Sequence, residues 1–381
     1  MFKKIIRILF VGLFFAMISV PLLTTNLEEG KISETENRKL VSRAHIHRED
    51  GTINQNYIKD LENWFNDNVG FRNDMVYVDA RIQYTLFDKL PNNDFILGPN
   101  KELNYATPSI IEDYQRKNMP DDEYLKDVAN AYQVISDYLE KRDIQFYYYQ
   151  CWDKHSIYPE YFPKTIIQYG DVSRTDEIVE SLKENTTIEV ISPKEKLIEL
   201  KNEYDTYSIW GDATHWSERG AYEGYLELMT AINNKNNNNY KVLKEDDYII
   251  EKKDVGSTFI GDVHREDIQE TFTIKNPKAY DSGEEPYYLC QWQLKSRTVL
   301  CNDSFDEDKV CVIIGDSYFD NFLYDDLAES FSKTVFIWGD YTENLAELVD
   351  YYNPSIVIIE NAERCERTGA AINLAKKLSQ K

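Results

Sequence analysis

Three residues have the types and spacing that serine-based covalent chemistry requires. Ser317 directly follows Gly315 and Asp316 at the end of an apolar run, and His215 lies three positions after Asp212. A serine becomes a nucleophile when a histidine takes its proton and a carboxylate holds the histidine ring. The three residues therefore admit acyl-transfer chemistry, provided that the fold brings them together.

The segment before Ser317 predicts a buried strand. Residues 310–314 are apolar and mostly β-branched, and Gly315 indicates a tight turn after them. Open α/β sheets place their chemistry at the carboxyl ends of such strands. Gly-Asp-Ser is also a common turn and helix-start sequence, so the tripeptide alone leaves both interpretations open.

The segment around His215 predicts a turn followed by a helix. Ser217 is a suitable N-cap, and apolar residues recur after it with helical spacing. In such a turn Asp212 can fold back onto one imidazole nitrogen and leave the other for a serine. The alternative is that Asp212 only caps the turn while His215 packs against Trp216.

The elements around these residues predict an α/β domain with a mostly parallel sheet. After Ser317 the pattern indicates helix, strand, helix and strand at residues 321–330, 334–338, 342–352 and 355–360. Gly339 and Asn361 follow the two later strands, so we expect them at the same sheet edge as Ser317. Helix and strand patterns also alternate upstream, over residues 125–191.

The sequence as a whole predicts a chain of four parts. Residues 1–24 form a membrane segment, 25–100 an N-terminal helical arm, and 101–381 the main domain, with 240–305 as an antiparallel β-rich insertion. His155, in a loop leaving a strand, is either functional or simply packed.

The N-terminus predicts export. Lys3, Lys4 and Arg7 precede an almost uninterrupted apolar run up to Leu23, and no convincing Ala-x-Ala cleavage site follows. We expect an uncleaved single-pass anchor in the cell membrane with the main domain outside the cytoplasm. Secretion after signal cleavage is the alternative.

Composition excludes some partners. The 43 Lys and Arg against 67 Asp and Glu give a net charge of -24, so nucleic acid is a poor partner and a neutral or cationic one fits better. Five cysteines argue against a complete set of disulfides, although Cys290 and Cys301 could pair across a hairpin. No Cys and His spacing indicates zinc, and we expect neither a metal nor a cofactor.

Several motifs together resemble a known family. Gly-Asp-Ser, the glycine and asparagine after later strands, and Asp-x-x-His resemble the four blocks of the SGNH hydrolase superfamily, in circularly permuted order. More specifically, the chain resembles the alginate O-acetylation and DHHW proteins, through motifs that occur in the same order: Glu36-Asn37-Arg38, Asp67-Asn68 with Phe71-Arg72, Lys154 with Tyr158-Pro159-Glu160, Thr214-His215-Trp216 with Gly220-Ala221, Gly315-Asp316-Ser317, and Glu363-Arg364. The family usually has Asp-x-His-Trp, whereas here position 213 is alanine and the acid is Asp212.

The resemblance implies a three-layer SGNH-like domain and an extracytoplasmic O-acetyltransferase that acts on a polysaccharide. Ser317 would be the nucleophile, His215 the base and Asp212 its orienting acid, with Gly339 and Asn361 as oxyanion or substrate-binding residues. A separate integral-membrane acyltransferase would supply the acetyl group. A polysaccharide acetyl-esterase with the same triad, or a catalytically silent glycan-binding scaffold of an export complex, are the alternatives.

Overall fold

The computed structural model describes residues 2–33, 38–48, 50–235, 238–257, 264–290, 298–305 and 309–380. The motif residues Glu36 and Asn37, and parts of the segment 240–305, lie outside the described residues. The chain forms two compact units, Met1–Pro91 and Asn92–Lys381.

The first unit contains the N-terminal helix and a small helical arm. Its elements are α1 Phe2–Leu23, β1 Ile32–Ser33, β2 Arg38–Lys39, α2 Tyr57–Asn68 and α3 Arg72–Phe87. Residues 3–23 of α1 are long and apolar enough to cross a membrane. The Asp67-Asn68 motif has a local structural role, because Asp67 accepts the Val41 N–H at 2.8 Å and Asn68 donates to the Val41 carbonyl at 3.0 Å.

The second unit alternates strands and helices. Its strands are β3 Phe95–Leu97, β4 Leu103–Tyr105, β5 Gln145–Cys151, β6 Glu189–Ile191, β7 Tyr248–Asp254, β8 Ile268–Ile274, β9 Tyr280–Asp281, β10 Leu300–Cys301, β11 Val310–Gly315, β12 Lys333–Trp338 and β13 Ile356–Ala362. Its α-helices are α4 Pro108–Tyr114, α5 Asp122–Glu140, α6 Lys154–Ile157, α7 Arg174–Asn185, α8 Lys194–Leu200, α9 Glu218–Asn234, α10 Ser317–Phe322, α11 Tyr324–Ala328, α12 Leu345–Tyr352 and α13 Thr368–Leu378. Single 3-10 turns lie at Pro159–Tyr161, Glu245–Asp247, Gly339–Asn344 and Glu363–Cys365.

A seven-stranded sheet organises this unit, in the order β6-β5-β13-β11-β12-β10-β9. The first five strands are parallel, and β10 and β9 add an antiparallel edge. The predicted mostly parallel sheet is therefore confirmed. The strand that precedes Ser317 is the central one, so the serine lies at the carboxyl end of the middle of the sheet.

Helices cover both faces of the sheet, and side chains along each strand alternate between two cores. Cys311 and Ile313 of β11 pack beneath α9, α10 and α11. Val312 and Ile314 pack on the opposite face, beneath α5, α12 and α13. Because both faces are buried, the central strands are continuously apolar, which is the pattern that the sequence displayed.

Three expectations need adjustment. The helix expected over residues 321–330 begins earlier and is broken: α10 starts at Ser317 itself, and α11 follows after Leu323. In the β-rich segment, β7 and β8 pair antiparallel with each other, whereas β9 and β10 join the main sheet. The hairpin disulfide considered for Cys290 and Cys301 is not formed, since Cys301 is a free thiol.

The helix that follows His215 requires a glycine in its first turn. A Cβ at Gly220 would lie 2.1 Å from the carbonyl oxygen of Thr206, a backbone atom that cannot move away alone. The close approach is needed because Ser217 N–H bonds to the same carbonyl at 3.0 Å. Gly220 thus fixes the start of α9, and with it the turn that carries His215.

We expect Gly220→Ala to lower the free energy of unfolding by about 1–3 kcal/mol, because the added methyl group overpacks a backbone contact. Urea denaturation measures the effect. Gly369→Ala is the matched control, since nothing lies within 4 Å of a Cβ there. It should leave the stability unchanged or raise it by up to about 1 kcal/mol. Equal stability of the two variants would contradict the close approach at Gly220.

Candidate active site

Ser317 lies in the turn that joins β11 to α10. Asp316 caps the helix, since its side chain accepts the Tyr318 N–H at 3.0 Å. Gly315 lets the neighbouring strand come close, because a Cβ there would lie 2.6 Å from Glu360 Oε2. Ser317 is therefore the first helical residue, half-buried at the end of the central strand. Its backbone N–H belongs to the helix start, where such groups have no intrahelical acceptor.

Asp212 uses both carboxylate oxygens to build the turn that carries His215. Oδ1 accepts the backbone N–H groups of Thr214 at 2.8 Å and His215 at 3.0 Å. Oδ2 lies 2.8 Å from His215 Nδ1. The sequence left open whether Asp212 caps the turn or orients the ring, and the structure has it do both.

The other imidazole nitrogen faces the serine. His215 Nε2 lies 2.8 Å from Ser317 Oγ, across 102 positions of sequence. The structure thus brings Ser317, His215 and Asp212 into one hydrogen-bonded chain of serine, histidine and carboxylate. A base so placed can take the hydroxyl proton, because the donor and acceptor are already within hydrogen-bonding distance.

The electrostatics of Asp212 suit an orienting acid. Burial acts to raise the pKa of Asp212, but the hydrogen bond and charge of His215 and the two backbone N–H groups outweigh burial and hold the pKa well below its ordinary value. Asp212 is therefore a carboxylate at neutral pH. An ionised partner on Nδ1 stabilises the imidazolium that forms when Nε2 takes a proton.

A buried lysine supports the backbone of the loop that contains Asp212. Lys154 is 1% exposed, and its ammonium group donates to the carbonyls of Leu103 at 2.6 Å and Asp212 at 2.7 Å, with that of Ile209 at 3.3 Å. Burial lowers the pKa of Lys154 to about 7, against the opposing effect of Asp212 and other carboxylates. The lysine of the sequence motif is thus a scaffold residue that fixes the backbone of Asp212.

A second buried group holds the same loop. One oxygen of Asp267 accepts three consecutive backbone N–H groups, those of Ile209, Trp210 and Gly211, at 2.8–3.0 Å. It also accepts the Ser208 hydroxyl at 2.6 Å. Because Asp267 fixes the segment immediately before Asp212, the position of the Asp212 carboxylate depends on the β-rich segment of the chain.

Arg364 is a functional candidate to which the sequence assigned no role. Its Nη2 lies 3.0 Å from His215 Nε2 and 3.3 Å from Ser317 Oγ. Its Nη1 donates to the buried carboxylate of Asp153, and the guanidinium lies 4.9 Å from the centre of the Tyr318 ring. The only signal in the sequence was the Glu363-Arg364 motif of the resemblance, because nothing in local patterning connects Arg364 with a serine 47 residues earlier.

The structure places Gly339 and Asn361 near Arg367. Gly339 begins the 3-10 turn after β12, and a Cβ on it would lie 2.1 Å from Arg367 Nε. Asn361 is buried; its amide donates to the Tyr132 hydroxyl at 2.9 Å, and its oxygen accepts the Arg367 N–H at 3.2 Å. Tyr132 belongs to the core on the face opposite α10, so an oxyanion role for either residue remains a prediction.

His155 is packed among acidic groups. Its Nε2 lies 3.1 Å from Asp113 Oδ2 and 3.9 Å from Glu363 Oε2, and all three residues are buried. Burial acts to lower the pKa of His155, but the two carboxylates outweigh it and raise the pKa. The three ligand atoms lie within 4.8 Å of one another. Arg116 Nη1 lies 3.8 Å from Asp113 Oδ2 and supplies positive charge to this cluster.

Glu360 is buried beneath the serine turn. It is 0% exposed, and its Oε2 accepts the Asp316 backbone N–H. Burial, reinforced by the neighbouring Asp316 carboxylate, raises the pKa of Glu360 well above its ordinary value. A raised pKa favours the protonated form of Glu360, which lessens the negative charge next to the backbone N–H of Asp316.

The sequence matches no protein-family model and no curated protein at a significant level. The fold, however, matches solved structures. PatB1 of Bacillus cereus, in a structure with a sulfonyl adduct, is 15% identical with a TM-score of 0.53, and the match covers 74% of this chain and 97% of PatB1. This likeness confirms, for the fold, the resemblance that the sequence motifs indicated.

Two further structures are similar. A DHHW family protein from Eubacterium siraeum is 14% identical, with a TM-score of 0.44 over 67% of this chain and 88% of the other. The O-acetyltransferase domain of Pseudomonas putida AlgJ is 13% identical, with a TM-score of 0.46 over 71% of this chain and 91% of AlgJ.

The buried acid gives a prediction about stability and pH. Because the folded-state pKa of Glu360 is raised, the folded protein keeps a proton that the unfolded chain loses above about pH 4.3. This group therefore costs stability as pH rises from there, by up to about 1.4 kcal/mol per pH unit. We expect Glu360→Gln to remove that slope, so that the variant gains on wild type between pH 5 and 8.

Urea denaturation at several pH values checks the sign. The control is Glu227→Gln, which changes an exposed glutamate of α9 and should leave the pH profile as it is in wild type. A Glu360→Gln variant whose disadvantage grew with pH would show that Glu360 is ionised in the folded protein.

Proposed function

We propose that the protein is an extracytoplasmic O-acetyltransferase that moves an acetyl group, through a serine acyl-enzyme, onto a polysaccharide hydroxyl. The observation that carries this proposal is the hydrogen-bonded chain from Ser317 Oγ through His215 to Asp212, with 2.8 Å at each side-chain link. A catalytically silent scaffold has no need of a carboxylate, an imidazole and a hydroxyl in this arrangement. The arrangement therefore favours an enzyme.

The first half-reaction forms the acyl-enzyme. Ser317 Oγ attacks the carbonyl carbon of the acetyl donor while His215 Nε2 takes the hydroxyl proton. Asp212 stays ionised and stabilises the imidazolium. The tetrahedral intermediate collapses when the bond to the donor's leaving oxygen breaks, and His215 returns the proton to that oxygen.

The second half-reaction transfers the acetyl group. A sugar hydroxyl gives its proton to His215 Nε2 and attacks the acetyl-Ser317 carbonyl. Collapse of this second intermediate releases the acetylated sugar, and His215 returns the proton to Ser317 Oγ. Hydrolysis by the same residues would give an esterase, so the acceptor sugar must be held at the acyl-enzyme in preference to water.

Arg364 and the Ser317 backbone N–H are the candidate oxyanion donors. Both lie at the serine, and Arg364 Nη2 is 3.3 Å from Oγ, the atom that becomes bonded to the tetrahedral carbon. A guanidinium held by Asp153 is positioned before the reaction begins, which is what electrostatic stabilisation of a developing charge requires. Gly339 N–H and the Asn361 amide are kept as weaker candidates.

The wider setting follows from the resemblance. The helix at residues 3–23 is proposed as a single-pass anchor with the catalytic unit outside the cytoplasm, secretion after cleavage being the alternative. The sheet and helices are proposed to be a three-layer SGNH-like domain with a circularly permuted order of blocks, because the Asp-x-x-His pair precedes the serine. Residues 240–305 are its proposed insertion. An integral-membrane acyltransferase is the proposed acetyl donor.

A reactivity experiment tests the triad before any substrate is known. We expect a fluorophosphonate probe to label the detergent-solubilised full chain, and labelling to be lost in Ser317→Ala and reduced about a thousandfold or more in His215→Ala. Ser379→Ala, at an exposed serine after the last helix, is the control and should be labelled normally. Because PatB1 has been described with a sulfonyl adduct, a sulfonyl fluoride is a suitable second probe. Unlabelled wild type would favour the scaffold.

The acceptor of the acetyl group then distinguishes a transferase from an esterase. We expect the full chain, given a small acetyl ester, to acetylate an added oligosaccharide and to release less free acetate as the oligosaccharide concentration rises. Mass spectrometry of the sugar and an acetate assay measure both products. Free release of acetate with no acetylated sugar at any concentration would identify an esterase.

Arg364 gives a prediction about rate. Arg364→Gln should lower kcat on the order of a hundredfold or more, because a preorganised donor to the oxyanion is lost. Arg364→Lys should recover only part of the rate, because a lysine ammonium lacks the planar group with which arginine donates to Asp153 and to the oxyanion at the same time. A structural role alone would instead lower the unfolding midpoint and leave kcat of the folded fraction unchanged.

A further inference from the structure

A cavity of about 500 Å³ opens beside the candidate active site. Its volume is that of an ordinary ligand site. Helices α10 and α11 supply one wall, and the β-rich segment supplies another through β8, β9 and β10. The mechanism above assigns no role to this space.

The cavity adjoins the nucleophile through one short helix. Asn321 and Phe322 line the cavity, and both belong to α10, the helix that begins at Ser317. The Phe322 ring also lies 5.9 Å from the His215 ring, between centroids. With a rise of about 1.5 Å per residue, the far end of α10 is less than about 8 Å from the serine. The cavity lining therefore includes α10 residues that lie close to the serine.

The lining includes aromatic surface suited to sugar rings. Tyr280 is 46% exposed, and the half-buried Phe272 is supported from below by the buried Tyr222, with 5.3 Å between their ring centres. Phe322 is half-buried. Apolar ring faces beside hydrogen-bonding groups are the combination that amphipathic sugar rings need.

The charges of the lining select among sugars. Five of the described lining residues are acidic, and none of the described ones is Lys, Arg or His: Glu218, Asp281, Asp325, Asp326 and Glu329. Glu329 is neutralised from outside, because Lys241 Nζ lies 2.9 Å from it. Asp281 and Asp325 are exposed, and the whole chain carries a net charge of -24. A polyanionic glycan is repelled here, and a cationic one is attracted.

We infer that this cavity is the acceptor subsite and that its ligand is a glycan segment bearing free amino groups, such as a partly de-N-acetylated amino-sugar chain. The exposed carboxylates of Asp281 and Asp325 pair with the sugar ammonium groups, and the aromatic side chains pack on the rings. The volume and the shared helix α10 identify the site, and the charges decide the class of sugar. As an acceptor site the cavity rests on the function proposed above.

Binding to the full chain in detergent tests the ligand class without requiring activity. Calorimetry would compare a glucosamine hexamer, its fully N-acetylated neutral form and a galacturonic acid hexamer. We expect the glucosamine hexamer to bind tightest and the galacturonic acid hexamer weakest, with the preference falling as salt is raised. Asp325→Asn should weaken glucosamine hexamer binding about three- to tenfold, and Asp325→Lys should weaken it further.

The control is Asp350→Asn, which removes an exposed carboxylate from α12 on the opposite face of the sheet and should leave binding unchanged. Tightest binding of the neutral or the uronate hexamer, or indifference of binding to Asp325→Lys, would overturn the inference. Fluorophosphonate labelling of Asp350→Asn should also equal that of wild type. Glucosamine hexamer binding by a wild-type chain that no serine probe labels would keep the site and overturn the acetyl-transfer function instead.

Discussion

The position of one carboxylate determines whether the site exists. Asp212 closes its own turn with one oxygen and fixes the imidazole of His215 with the other. The Asp-x-x-His spacing therefore follows from the geometry of the turn, in which a carboxylate reaches the N–H groups two and three residues ahead and the ring at the same time. The alanine at position 213 is compatible with this arrangement because neither interaction uses its side chain.

The turn that carries His215 is itself held by buried charged groups from distant segments of the chain. Lys154 holds the carbonyl of Asp212, and Asp267 holds the N–H groups before it. Burying a charge costs free energy unless the charged group makes hydrogen bonds. Here Lys154 and Asp267 make those bonds with backbone groups of the loop that pair with no neighbouring strand. The buried charges thus supply this loop with hydrogen bonds that regular secondary structure would otherwise provide.

Local patterns predicted much of the fold and the core of the site. The β-branched run before Ser317 predicted β11, and the Ser217 cap predicted the start of α9 and so the location of His215. What local patterns could not reach were contacts set by tertiary packing. Arg364 lies 47 residues after Ser317, and Asp267 lies 55 residues after Asp212, so their meeting depends on the sheet order and on the path of the β-rich segment. The early start of α10 at Ser317 was also missed, although Asp316 is its N-cap.

The adjacency of Glu363 and Arg364 has a consequence for how such proteins diverge. In one 3-10 turn, Glu363 faces the buried cluster around His155, whereas Arg364 faces Ser317 and His215. Under the proposed function, folding would constrain the first residue and chemistry would constrain the second. A descendant that abandoned catalysis would be free to lose the arginine while still needing the glutamate. In a set of related sequences, a conserved glutamate at position 363 next to a variable residue at position 364 would therefore identify proteins that retain the fold but have lost the activity.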